Sequence, residues 1–370
     1  MKTLVLIAAL AVGFALAPLS IAQKKSKSES AGPDVGQIAP PIGELKWLQL
    51  GGVTSDSSLD TMRGSVVIVA DYGYYCDSCV KVGVPTLNAL RASNEPRDLK
   101  IIQLTAGIGD DTPEVIQKKG EELGIAGPVG IADVEGVSSP YLNMGANGNL
   151  TFAFVIGRHG GILWKGDPSR KREDYLAAVS SALNAVPCDP LPASSEFGPM
   201  IAPALRDYVL GDFQKAEIGA QTLLTKLGTK AGDENDRARK DVNALLALVE
   251  GTRKHLMEEL ETTGGAKQSE RFQKALTNVR RVFPKGPEAD RASSLEMYVT
   301  IQSDQGPTCR KWAIWYELES ARPAVFPGEK NAATTKYARE LAKYVKQGGV
   351  PGVDRAKQWL EAFDKLAPHK

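Results

Sequence analysis

Cysteine is scarce in this chain, with only Cys76, Cys79, Cys188 and Cys309 among 370 residues. That number excludes a small scaffold held together by disulfides. Histidine is scarcer still. His159, His255 and His369 have no neighbours at ligand spacing, so each reads as a solvated surface residue rather than a metal ligand. Neither sign of charge is in excess, with 45 Lys and Arg against 44 Asp and Glu. No basic block is interleaved with aromatics, so nucleic-acid binding has no electrostatic basis. Past residue 22 no apolar run approaches the length of a membrane span.

The one long apolar run stands at the start. Lys2 precedes Leu4 to Ala17, an uncharged stretch that Pro18 interrupts, and Ser20-Ile21-Ala22 offers small residues for cleavage. Residues 1–22 are therefore expected to be a signal peptide, with an uncleaved anchor as the alternative. Cleavage implies an extracytoplasmic protein, periplasmic or secreted, with no stable membrane insertion afterwards. Residues 23–40 are rich in Lys, Ser, Gly and Pro and read as a flexible leader. The rest divides into a first domain at 41–186, a proline-rich linker at 187–203 and a second domain at 204–370.

In the first domain, Ser65-Val66-Val67-Ile68-Val69-Ala70 is a β-branched run suited to a strand buried on both faces. Asp71-Tyr72-Gly73-Tyr74-Tyr75 leads from it to Cys76-Asp77-Ser78-Cys79. The apolar residues that follow have helical spacing, with a kink expected at Pro85. Cys76 is thus placed at a helix N-terminus, where unpaired amides and the helix dipole favour a thiolate. Asp77 opposes that charge and Lys81 offsets it in part. Further strands are expected at Leu99–Leu104, Val129–Ala132 and Thr151–Ile156, with a helix from Pro113 to Leu123. A hairpin turn at Arg158-His159-Gly160-Gly161 and a closing helix at Asp174–Leu183 complete the domain. This order predicts an α/β domain with a mixed central sheet flanked by helices.

From Gly64 to Leu90 the strand, the aromatic before the first cysteine, the C-x-x-C and the helix with Pro85 resemble the active-site unit of the TlpA-like thioredoxin family. The resemblance continues through Gly124-Ile125-Ala126-Gly127-Pro128-Val129 and Phe154-Val155-Ile156-Gly157-Arg158-His159-Gly160-Gly161-Ile162. It implies a thioredoxin-like fold and thiol–disulfide oxidoreductase activity on protein thiols or disulfides, without a cofactor. It also implies that Cys76 attacks, that Cys79 resolves, and that Tyr75 and Thr151 contact substrate. Tyr75 stands where tryptophan is usual. Thr151 takes the place of the family's cis-proline, because no proline lies between Pro140 and Pro168. The acidic or amide residue often buried behind the resolving cysteine falls at Ala70. Alternation along the strand puts Asp71 on the opposite face, so Cys79 is expected to lack a proton-transfer partner. A peroxidase is not implied, since Gly73 stands where that chemistry needs threonine.

The residues alone leave three readings of the pair open: redox exchange, a structural disulfide, or a metal pair, for which copper(I) suits two thiolates better than zinc does. Two functions follow, an oxidoreductase or a non-catalytic binding module for a protein partner or copper(I). The second domain is expected to be all-α, and Asp207 to Ala216 is similar to the helix pair of tetratricopeptide units, without a repeat at fixed period. It contains no catalytic constellation and is expected to dock partners or brace the first domain. Cys188 and Cys309 are either bridged or two separate thiols.

Overall fold

The computed structural model describes residues 32–43, 45–49, 59, 62–71, 73–95, 98–106, 112–132, 139–142, 152–186, 191, 197–265, 268–302 and 306–366. The expected signal peptide, Cys188 and Thr151 lie outside them, as does most of the expected linker. The described residues belong to one compact unit.

A six-stranded mixed sheet organises the first half, in the order β1-β4-β3-β2-β5-β6. The strands are β1 (Lys46–Gln49), β2 (Val66–Asp71), β3 (Leu99–Ala106), β4 (Pro128–Ala132), β5 (Ala153–Ile156) and β6 (Ile162–Gly166). β2, β3 and β4 run parallel to one another, while β5 lies antiparallel to β2, β6 to β5 and β1 to β4. Crossover helices join the parallel strands, as parallel pairing requires. They are α1 (Val84–Ser93) between β2 and β3 and α2 (Pro113–Glu122) between β3 and β4; α3 (Arg172–Leu183) follows β6. Thr112 caps α2 through its hydroxyl, which accepts from Val115 N–H, and proline fills the first helical position. This is a thioredoxin-like arrangement.

β2 is central and its β-branched side chains divide between two faces. Val66, Ile68 and Ala70 pack with Leu87 and Leu90 of α1 and with Tyr175 and Val179 of α3. Val67 and Val69 point the other way, to Ile102, Leu104, Phe154 and Ile162. Period-two alternation with both faces covered explains the continuous apolar run.

The second half is all-α: α4 (Ala202–Val209), α5 (Phe213–Leu227), α6 (Asp233–Gly265), α7 (Ser269–Val282), α8 (Pro287–Met297), α9 (Gly306–Ser320), α10 (Ala332–Lys346) and α11 (Val353–Asp364). α4 and α5 form the expected helix pair, turning at Gly211, whose φ of +82° suits glycine. Pro199–Ile201 is a 3-10 turn that leads straight into α4, so helical structure begins inside the expected linker.

The halves share their cores. Ile38 and Val186 from the first half pack among the residues of α4 to α7, and Ala324 and Val325 of the second half join the face of β2 that α1 covers. Around these apolar contacts the loop after α9 is bonded to α1 and α3. Asn94 Nδ2 donates to Ala324 O at 2.9 Å, and Gly328 N to Ser93 Oγ at 3.0 Å. Ser180 Oγ donates to Arg322 O at 3.2 Å, and Arg172 Nη1 to Glu329 Oε1 at 2.7 Å.

Candidate functional site: the Cys76–Cys79 pair

β2 ends at Asp71, and the chain turns through Gly73 and the two tyrosines into a helical run. Cys76 N–H donates to Gly73 O at 3.0 Å, closing the turn, and Val80 N–H donates to Cys76 O at 3.0 Å, opening the helix. Cys76 therefore occupies the cap position that the sequence predicts. The first turns are not regular α-helix. Cys79–Gly83 is a π turn in which Val84 N–H reaches back to Cys79 O, and α1 begins at Val84. Pro85 explains this geometry: it has no N–H for a carbonyl four residues back and its ring crowds that carbonyl, so the helix widens just before it.

The two sulfurs are joined as a disulfide, with Cα atoms 5.2 Å apart. Their surroundings differ. Cys79 is 2% exposed, whereas Cys76 is partly open. Cys76 Sγ receives Cys79 N–H at 3.2 Å and lies 3.2 Å from Ser78 Oγ. Donors aimed at that sulfur, at the start of a helix, stabilise negative charge on it once the pair is reduced. Asp77 forms an exposed ion pair with Lys81 at 2.7 Å. A C-x-x-C pair in this setting is a redox-active site.

Tyr75 is 44% exposed beside Cys76 and meets the edge of Tyr74 with ring centroids 5.4 Å apart. Its ring lies over Gly73, where a Cβ would come within 3.2 Å of it. Thr151, the other expected substrate contact, lies outside the described residues.

On the inner side of Cys79 is a cavity of about 20 Å³, lined among others by Ala70, Asp71, Gln103, Thr86 and Tyr175. Asp71, the last residue of β2, also borders this space, but it pairs in register with Leu104, which packs with Val67 and Val69 on the other face of the sheet, as alternation along the strand leads one to expect. Gln103 was missed as a site residue. It pairs in register with Ala70 across β2 and β3 and is 1% exposed. The signal was present: one amide inside an otherwise apolar strand.

His159 is a correction to the sequence reading. It is 4% exposed rather than solvated, because the β5–β6 turn packs on α4: its Nε2 lies 2.5 Å from Val209 O and its ring meets the edge of Tyr208. His159 therefore belongs to the contact between the halves and not to the cysteine site. Among the described residues no three His, Cys, Asp or Glu side chains gather into a metal-sized cluster. Cys309 is buried and has no disulfide partner among the described residues.

No family model matches the chain, and no curated protein matches it. Solved structures do match part of it. One is a thioredoxin-like superfamily protein, 18% identical, spanning 40% of this chain and 98% of its own, with a TM-score of 0.36. Another is a thiol-disulfide isomerase from Corynebacterium glutamicum, 20% identical over 37% of this chain and 86% of its own, with a TM-score of 0.28. A third is a thioredoxin-family thiol:disulfide interchange protein from Chlorobium tepidum, 19% identical over 40% and 96%, with a TM-score of 0.30. Each covers about two fifths of this chain, and what each does is said of that protein only.

Proposed function

We propose that this protein is an extracytoplasmic thiol–disulfide oxidoreductase of the TlpA-like kind, exchanging disulfides with partner proteins through Cys76 and Cys79. The observation that carries the reading is the asymmetry of the pair: an accessible sulfur at a helix start, bonded to a buried one. An accessible thiolate can reach a partner's disulfide, and a sealed thiol can act only on the intermediate that results.

In the reducing direction the Cys76 thiolate attacks one sulfur of the partner disulfide, and the other partner sulfur leaves with the electron pair. Cys79, as thiolate, then attacks Cys76 Sγ. The mixed disulfide breaks, the Cys76–Cys79 bond forms, and two electrons have passed to the partner. Oxidation of a partner dithiol is the reverse. Tyr75 supplies an apolar contact at the rim, and the expected signal peptide at residues 1–22 supports the extracytoplasmic reading.

Turnover of the reduced full chain on a disulfide-bonded peptide tests this. Cys76→Ser is expected to abolish exchange, and Cys79→Ser to accumulate the mixed disulfide, visible by mass under non-reducing conditions. Full activity of Cys76→Ser would overturn the assignment of Cys76 as the attacking residue, whereas no exchange by the wild type, with stoichiometric copper(I) uptake instead, would point to the binding-module reading.

A further inference from the structure

Where the ends of α1 and α3 meet the helical half, a cleft of about 940 Å³ opens. Small-molecule sites fall in the range of roughly 300–1,000 Å³. Unlike most of them, this cleft is strongly charged. Arg158, Arg281, Arg322 and Arg355 all line it, each from a different segment of the chain.

Two of these four arginines have a carboxylate. Arg158 pairs with Asp98 at 3.2 Å and Arg355 with Glu319 at 2.7 Å. Arg281 and Arg322 have no ion pair among the described residues. Arg281 donates to Asn184 O at the end of α3, and Arg322 Nη2 donates to Asn94 Oδ1 at the end of α1, 3.1 Å away. A carbonyl and an amide return no charge. The two helix ends bring about half a negative charge each, so about one positive charge is left unanswered. The other charged lining residues, Lys274, Glu270 and Glu95, are exposed and pair with neither guanidinium.

The two arginines stand around one helix end, since Ser180 Oγ of α3 donates to Arg322 O and Asn184 receives Arg281. Arg322 is also held in place. Its guanidinium lies over the ring of Trp359, 4.8 Å from the centroid, and that of Arg355 lies over the same ring at 4.9 Å. Desolvation lowers the pKa of Arg322, with Arg355 adding to the shift, and desolvation lowers that of Arg281. Both cations therefore lack solvation that an anion would restore.

We propose that this cleft binds a small oxyanionic ligand, a carboxylate or a phosphate, held by the guanidinium groups of Arg281 and Arg322. A guanidinium presents its N–H donors as a planar fork that matches two oxygens of either group. The site is separate from the cysteine pair. α1 begins just past Cys79 and ends before Asn94, and its ten residues span about 15 Å. A ligand in the cleft thus meets the far end of that helix and not the sulfurs.

Isothermal titration calorimetry of the full chain tests the site. Sodium phosphate and, separately, sodium succinate are titrated at ionic strength held constant with sodium chloride. Saturable binding of at least one is expected. Saturation by phosphate alone assigns the cleft to a phosphate group, and saturation by succinate alone assigns it to carboxylates. Arg281→Gln and Arg322→Gln should each weaken binding by about 10–100-fold, the effect of losing a hydrogen bond to a charged group. Arg322→Lys keeps the charge without the fork and should recover only part of the loss. Arg271→Gln, an exposed change off the lining, should leave binding unaltered. Arg281 is exposed as well, so Arg281→Gln decides the matter if the Arg322 variants do not fold. No saturation with either salt would overturn the site. So would saturation that Arg281→Gln and any folded Arg322→Gln leave as in the wild type. Disulfide exchange by Cys76 and Cys79 is measured apart from this and stands or falls independently.

Discussion

At His159 the imidazole sits 2.5 Å from Val209 O and is almost wholly buried. A carbonyl only accepts, so Nε2 carries the hydrogen. Burial holds the ring below its ordinary value of 6.5, and the Val209 carbonyl opposes that shift only in part. The folded chain therefore keeps the ring neutral where the unfolded chain would protonate it. Above pH 6.5 both states are neutral and the contribution to stability is full. As pH falls below 6.5 the unfolded state takes up the proton first, and stability is lost until the folded-state value has been passed. Thermal unfolding followed from pH 7.5 to 5.5 should show the melting temperature falling, and His159→Gln should flatten part of that slope. An identical slope in the variant would show that other groups carry it. The same rule of burial governs Cys79 and Gln103, whose chemistry comes from what surrounds them.

Among the elements, α1 has the most to hold: it carries Cys79 at its widened entrance and lies on the central strand. Leu90 is fully buried there, against Val66 and Ile68 and their neighbours. Leu90→Ala should lower unfolding free energy by roughly 2–5 kcal/mol in chemical denaturation, while exposed Ile218 on α5, at 63% exposure, should tolerate alanine with a change within about 0.5 kcal/mol. The contrast explains what could be read from the chain. β2, α2 and α3 were legible because β-branched runs, a Thr-Pro start and a 3.6-residue stripe are local signals. The pair at a helix start was legible for the same reason. The π turn was foreshadowed only as a kink at Pro85, since how a helix yields to proline depends on its packing. His159 and the cavity were not legible at all. A turn residue looks solvated until α4 is seen lying on it, and Gln103 reaches the cavity behind Cys79 only through the pairing of β3 with β2.

For the molecule as a whole, the seam between the halves is built like an interior. Apolar residues from each side enter the other's core, and beneath them Glu329 takes a guanidinium from Arg172 with its own side chain only 8% exposed. Glu329→Gln leaves that guanidinium without its countercharge and should cost roughly 1.5–3 kcal/mol, as for other hydrogen bonds to charged groups. Gly328 is as tightly placed, since a Cβ there would sit 2.7 Å from Ala89 O on α1 and press on Ser93. Because the loop bonds to the end of α1, the loss should not stay in the second half. Hydrogen exchange followed by mass spectrometry tests this directly. If the halves unfold together, peptides from β2 and from α7 share one global opening free energy in the wild type, and Glu329→Gln lowers both by the same amount. If β2 keeps its protection while α7 loses it, the seam joins two independent folding units. The brace that holds the cysteine-bearing helix from behind would then have no energetic reach to the redox pair.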